Sequence, residues 1–224
     1  QDHIIWKSSN GGHTSLEQYH ERMKDKGEAD AVIYCSDPNA QAAYLSMLKE
    51  HGLEAVIADT MIDQHFIPYF EMQTGRKHKF KRVDSDLSAH LLDNSGPEII
   101  IDPKAKQTSA EKIEKLFNDH LDRKGVKIRV ETLKTGKVPA MLIVDEQRRR
   151  MKDMSRSGPM AQFAKDLPDE HTLVINQASA AIKNLVNLSI TFNRDEEVKL
   201  LVNQIHDLAW LQQGEFSGDM MQAF

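Results

Sequence analysis

Two sets of residues have the types and spacing to do chemistry. The first is acidic: Ser36, Asp37, Asp59 and Asp63, with His65 close in sequence. Asp59 and Asp63 are four apart and on a helix would share a face. Two carboxylates so placed can hold a divalent cation or divide acid and base roles. Asp at a helix start is also an ordinary cap, so a small α/β enzyme built on Asp37, Asp59 and Asp63 is one reading among others. The second set is basic and rich in sulfur. Arg148, Arg149, Arg150, Lys152 and Arg156 are interleaved with Met151 and Met154 and followed by Met160 and Phe163. A helix over residues 146–154 would put Met151 and Met154 on one face with basic flanks. It would stop at the Ser, Gly and Pro of residues 155–159. Such a segment could meet phosphate as a basic nucleic-acid-binding module through Arg148 to Arg156. No aromatic stacking platform lies nearby to support that use.

The remaining chemical candidates are sparse. Cys35 is the single cysteine and sits in an apolar run, so it reads as a buried thiol. One cysteine excludes an intrachain disulfide framework and a Cys-rich zinc site. His13, His20, His51 and His90 show no ligand spacing and read as surface residues. There is no GxGxxG and no GxxxxGK[ST], and the Gly11–Gly12 pair is too little for a phosphate cradle. The 224 residues carry a net charge of −5. That mild acidity argues against a dedicated nucleic-acid binder. No apolar run approaches a bilayer span.

The elements that must position these residues fall into two frames. In the first, residues 1–103, a short strand at 4–6 precedes a polar turn at 8–14 and a helix capped by Ser15, with Gln18 in capping-box register. AVIYC at 31–35 is a buried strand. A helix over 41–51 ends at Gly52, and LEAVIA at 53–58 is the next strand. A helix bearing Ile62, Phe66, Ile67 and Phe70 follows, with Pro68 expected to perturb it or end it early. KFKRV at 79–83 closes the set. This alternation predicts a small open α/β/α sheet domain. A Gly- and Pro-containing join leads to the second frame, residues 104–224. There a helix at 109–121 precedes two runs, 126–133 and 138–144, read as a β-hairpin around Gly136. LVIN at 173–176 is a third strand and 179–188 a helix. The strongest helix spans 196–212, with Val198, Leu201, Val202, Ile205, Leu208, Ala209 and Leu211 in a wide apolar stripe. The second frame is therefore expected to be an α+β domain with a β-hairpin-based sheet. A stripe that wide calls for helix pairing, inside the domain or across a two-fold axis.

In order, these landmarks resemble an Hsp90-type chaperone. TSLEQYHERMK at 14–24, VIYCSD at 32–37 and QAAYLSMLKEHGLEAVIADTMIDQHFI from Gln41 are similar to the end of that family's middle segment. TLVINQASAAIKNLVNL at 172–188 and the segment from Leu200 to Phe224 are similar to its C-terminal dimerisation domain. Gln177 to Ala181 depart from the family's Pro-x-His-Pro-Leu phrase. No Met-Glu-Glu-Val-Asp tail is present, so tetratricopeptide co-chaperones are not implied. The resemblance implies a bacterial HtpG-like or mitochondrial TRAP-like member, in the cytoplasm or the mitochondrial matrix. It implies a fragment whose ATP-binding domain lies upstream and whose last helix is cut at Phe224. ATP and Mg2+ would serve the full-length protein, a stress-response ATPase that aids protein folding. This piece would hold no cofactor and catalyse nothing. Its partners would be a second copy and unfolded or partly folded clients, with no specific nucleic acid and no membrane. Dimerisation then falls to Leu201, Ile205, Leu208 and Trp210. Client binding falls to Met151, Met154, Met160 and Phe163, with Arg148, Arg149 and Arg150 around them.

Overall fold

The computed structural model describes residues 4–26, 31–75, 77–85, 91–93, 100–102, 107–123, 125–144, 171–191 and 194–212. The chain divides into two compact units, residues 1–91 and 92–224. The division falls before the Pro103 join suggested by composition.

The first unit is built on a five-stranded sheet. Strands β1 (Ile5–Ser8) and β2 (His13–Ser15) form an antiparallel hairpin. Its turn uses Gly11 at φ 94° and Gly12 at φ 75°, left-handed values that cost glycine nothing. The expected polar turn over 8–14 thus hides a second strand. Helix α1 (Leu16–Met23) starts with the capping box of Ser15 and Gln18. Strand β3 (Ala31–Cys35), buried at every residue, runs parallel to β4 (Val56–Ile57) and β5 (Lys79–Arg82). The sheet order is β2-β1-β4-β3-β5, so the most apolar strand lies inside, where both faces are covered.

Helices α2 (Ala42–Glu50) and α3 (Met61–Gln73) link the parallel strands. Pro68 does not end α3. The helix starts on a second capping box, Thr60 with Asp63, and continues five residues past the proline. An interior proline costs about 3 kcal/mol. Burial of Ile67 and Phe70 on either side of it offsets that cost. Ile62 points outward, because it sits well over 90° around the helix from the buried Ile67. Arg22 grips the buried Glu54 through two 2.8 Å hydrogen bonds. Burial pushes the Glu54 carboxyl up, but the Arg22 and Ser8 bonds outweigh it and hold the carboxyl below its usual range.

In the second unit, β6 (Ile100–Asp102) pairs with β7 (Gln107–Thr108) in a region read from sequence as linker. Helix α4 (Ser109–His120) follows, capped by Thr108 and Glu111. Strands β8 (Val126–Glu131), β9 (Ala140–Val144) and β10 (His171–Asn176) form a sheet ordered β8-β10-β9. The expected β8–β9 hairpin does not form. β10 lies between the two, parallel to β8 and antiparallel to β9. The physical reason lies in the apolar pattern. β10 buries Leu173, Val174 and Ile175 completely and needs cover on both faces, whereas β8 alternates and suits an edge.

Asn176, 1 % exposed, locks this arrangement. Its Nδ2 donates to the carbonyls of Thr135 (2.7 Å) and Val138 (2.8 Å), and its Oδ1 accepts from the Leu133 and Ala178 amides, each at 3.1 Å. The loop from β8 to β9 is thereby tied to the end of the strand that separates them. Helices α5 (Ala180–Thr191) and α6 (Asp195–Gln212) complete the unit. Its core joins Ile113 and Phe117 of α4, Leu142, Leu173 and Ile175 of the sheet, and Ile182 and Leu185 of α5 to one face of α6.

Candidate functional site

Helix α6 has two apolar faces side by side. Val198, Val202, Ile205 and Ala209 recur at three- and four-residue steps and are buried against the sheet and the neighbouring helices. Leu200, Leu201, Leu208 and Leu211 fall within about 100° of arc on the adjacent face. They remain exposed, Leu201, Leu208 and Leu211 at 36–42 % and Leu200 at 69 %. Leu201, Gln204, Leu208 and Leu211 follow the three–four spacing of a helix-pairing seam, with exposed Gln204 as the polar member. Of the four residues expected at a dimer contact, Leu201 and Leu208 lie on this open face. Ile205 belongs to the intrachain core, and Trp210 packs against that core.

Polar contacts hold α6 at a fixed rotation. Asn203 donates to the His120 carbonyl (3.0 Å) and accepts from the Asp122 amide (3.1 Å), while Lys199 meets Asp122 at 3.1 Å. Trp210 Nε1 donates to His206 Nε2 at 2.9 Å. An indole N–H can only donate, so Nε2 carries no proton and Nδ1–H faces Asp207 Oδ1 at 3.0 Å. Burial holds His206 below its ordinary value; Asp207 opposes that shift, and Arg123 and His171 add to it. His171 closes the cluster, its ring centroid 4.4 Å from that of Trp210.

Helix α3 carries a second open face of different composition. Met61, Ile62, Tyr69 and Met72 are 55–78 % exposed and lie within about 100° of arc, with His65 and Pro68 among them. Beneath them the helix is anchored by rings. Phe66 and Phe70 pack on Trp6 and Phe80 at centroid distances of 6.3 Å each. Trp6 Nε1 donates to Asp63 Oδ1 at 3.3 Å. Sequence reasoning named Ile62 on this helix but missed this face. Its signal was the spacing Met61, His65, Tyr69 and Met72.

The acidic candidates are accounted for locally. Asp37 Oδ1 accepts from the Asn39 and Ala40 amides, both at 3.0 Å, and so builds the turn into α2. Asp63 is the third-position partner of the Thr60 cap, and Asp59 is exposed. The Ser36 amide donates to Gln41 Oε1 at 2.9 Å. Gln41 in turn donates to the buried Asp84, which Arg82 clamps. Sequence reasoning passed over Gln41 and Asp84. Cys35 is fully buried, and its thiol is pushed up to about 12, chiefly by burial. It is no nucleophile at neutral pH. Among the described residues no three His, Cys, Asp or Glu side chains are grouped to hold a metal ion.

A family model described as Hsp90 protein matches residues 2–224. The chain belongs to the Hsp90 family. It is similar to the chaperone protein HtpG of Bacteroides fragilis strain 638R, 23% identical over 190 residues, covering 83% of this chain and 28% of that protein. HtpG of Porphyromonas gingivalis strain ATCC 33277 is 28% identical over 155 residues, covering 68% and 22%. HtpG of Bacteroides thetaiotaomicron is 25% identical over 197 residues, covering 84% and 28%. The chain spans about a quarter of the length of these curated relatives. Membership of the Hsp90 family favours neither the small-enzyme reading of Asp37, Asp59 and Asp63 nor the nucleic-acid reading of Arg148 to Arg156. Met151, Met154, Met160, Phe163, Arg148, Arg149 and Arg150 lie outside the described residues. No helix among the described residues is long and apolar enough to cross a membrane.

Proposed function

We propose that this chain is the end of the middle segment and the C-terminal dimerisation region of a bacterial, cytoplasmic Hsp90-type chaperone. The first unit would belong to the middle segment and the second to the dimerisation region. In this reading the piece is not an enzyme. It holds two copies together and offers apolar surface to unfolded clients, while ATP and Mg2+ act elsewhere in the whole protein. The chain's one adjacent glycine pair, Gly11–Gly12, is spent on the β1–β2 turn and does not fit a phosphate.

The observation that carries the reading is the open leucine face of α6 beside its buried one. Its magnitude sets what to expect. Fully burying a leucine is worth about 1.5–3 kcal/mol, so covering one that is already half-buried gains about 1 kcal/mol. Four leucines from each of two copies then give on the order of 8 kcal/mol, against an association cost of about 4–15 kcal/mol. The face suffices for weak, concentration-dependent pairing and needs additional surface for tight pairing. Sedimentation equilibrium from micromolar to millimolar protein should show mass rising toward twice 25.5 kDa. A mass fixed at one chain throughout would remove the α6 face as a self-association surface.

Client capture is assigned to two methionine-bearing surfaces, the α3 face and the segment with Met151, Met154, Met160 and Phe163. Methionine is unbranched and polarizable and re-packs against varied partners. Arg148, Arg149 and Arg150 would steer acidic or polar client segments. Changing Met151 and Met154 to Ser should weaken capture of a destabilised client without altering the melting temperature. An unaltered client titration would remove that segment from the site.

A further inference from the structure

We propose that His20 and His78 form a two-histidine site for a divalent transition ion of the zinc or copper type. His20 lies on α1 and His78 on the turn before β5, 58 residues later in the chain. Read from sequence, His20 was an isolated surface residue. In the fold, His20 Nε2 and His78 Nδ1 stand 3.3 Å apart, with ring centroids 5.4 Å apart and planes inclined by 34°. Two nitrogens on one edge of a tetrahedron, with metal–nitrogen bonds of about 2.0–2.1 Å, are themselves about 3.3 Å apart. The separation already matches that edge. In the hydrogen bond one of these nitrogens carries the proton and the other accepts it; binding an ion requires that proton to move to the far nitrogen of its ring and both rings to turn until the two lone pairs meet at one point.

The surroundings favour such an ion. Both rings are half-buried at the wall of an open groove of about 760 Å³, which Glu17, Glu21, Lys24 and Lys77 also line. Glu17, three residues before His20, shares its face of α1, and Glu21 follows on the groove wall. The Phe70 ring lies 5.8 Å from His78, and Tyr19 meets His20 edge-on at 5.8 Å, which limits how far either imidazole turns. No third ligand among the described residues is already in place. The remaining positions therefore go to water, or to Glu17 or Glu21 after side-chain rotation, with Lys24 and Lys77 balancing the carboxylates. Imidazole nitrogens suit zinc, copper and nickel over magnesium and calcium. A bound ion would clip α1 to the β5 turn and stabilise the first unit by mass action.

Zinc or copper chloride alone, titrated into the whole chain, tests the site by calorimetry and by melting temperature. The expected result is one ion bound per chain with a raised melting temperature. His20→Asn and His78→Asn should each weaken binding by about tenfold or more and abolish the melting shift, while His51→Asn should change neither. On the unaltered chain, sub-stoichiometric Cu2+ should broaden the imidazole NMR signals of His20 and His78 before those of other histidines. Undiminished binding in both variants, equal loss in His51→Asn, or first broadening elsewhere would overturn the assignment.

Discussion

Helices α3 and α6 solve the same problem with different side chains. Each is amphipathic, each buries one face in its own unit, and each leaves a second apolar stripe open. On α3 that stripe is Met61, Ile62, Tyr69 and Met72 around His65 and Pro68. On α6 it is Leu200, Leu201, Leu208 and Leu211 around Gln204. Methionine and tyrosine offer a surface that adapts to unlike partners. Leucines at three–four spacing with one polar position specify a single partner helix and a register. α3 also contains a proline, which perturbs regular helix packing, whereas α6 runs 18 residues without a break. On the proposed reading, α3 serves many clients and α6 serves one partner, a second copy of itself.

That contrast can be broken by substitution. The largest effect is expected from Leu201→Glu with Leu208→Glu. Two charges on the open face of α6 should weaken self-association by about 100-fold or more, because each buried unpaired charge costs several kcal/mol. Both side chains are already partly wet, so the unit's fold should survive, as circular dichroism would show. Next is Asn176→Ala, which strands donors and acceptors at the junction of β8, β9 and β10. It should destabilise the second unit by about 2–3 kcal/mol in urea titrations and leave the first unit unchanged. Smaller is the effect of Met61→Ser with Met72→Ser. Client affinity should fall by about tenfold with no change in association.

The smallest effect concerns pH. His206 is held below 6.5 by burial, so the unfolded chain takes up a proton near that pH which the folded state refuses. Stability from this site is complete above pH 6.5 and declines as pH falls below it. His206→Gln should flatten the loss of stability between pH 7.5 and 5.5, read by urea titration at both values. An equally steep loss in the variant would place the titrating group elsewhere.

Much of the local structure was legible in the chain. The all-apolar run at 31–35, the Ser15–Gln18 box and the long stripe of α6 are short-range signals, and each became the expected element. The failures in the second sheet share one cause, which is that pairing over distance leaves no short-range mark. Val126 to Val144 reads as a hairpin because the two runs are neighbours in sequence, yet β10 enters from some thirty residues later. Asn176 looks like any polar residue after a strand until that insertion makes it the hub of the loop. The α6 stripe was legible as a stripe, but its period does not say which half meets the core. Pro68 does not end its helix because burial of Ile67 and Phe70 holds the helix together there. The acidic candidates looked catalytic only because a cap and a ligand use the same residue types.

Methyl NMR on leucine- and methionine-labelled chain tests the division of labour directly, by raising protein concentration first and then adding a destabilised client. Leu201 and Leu208 methyl signals should shift with concentration while Met61 and Met72 stay fixed. The methionine signals should then move when client is added. Concentration-dependent shifts at Met61 and Met72, with Leu201 and Leu208 unmoved, would contradict the account.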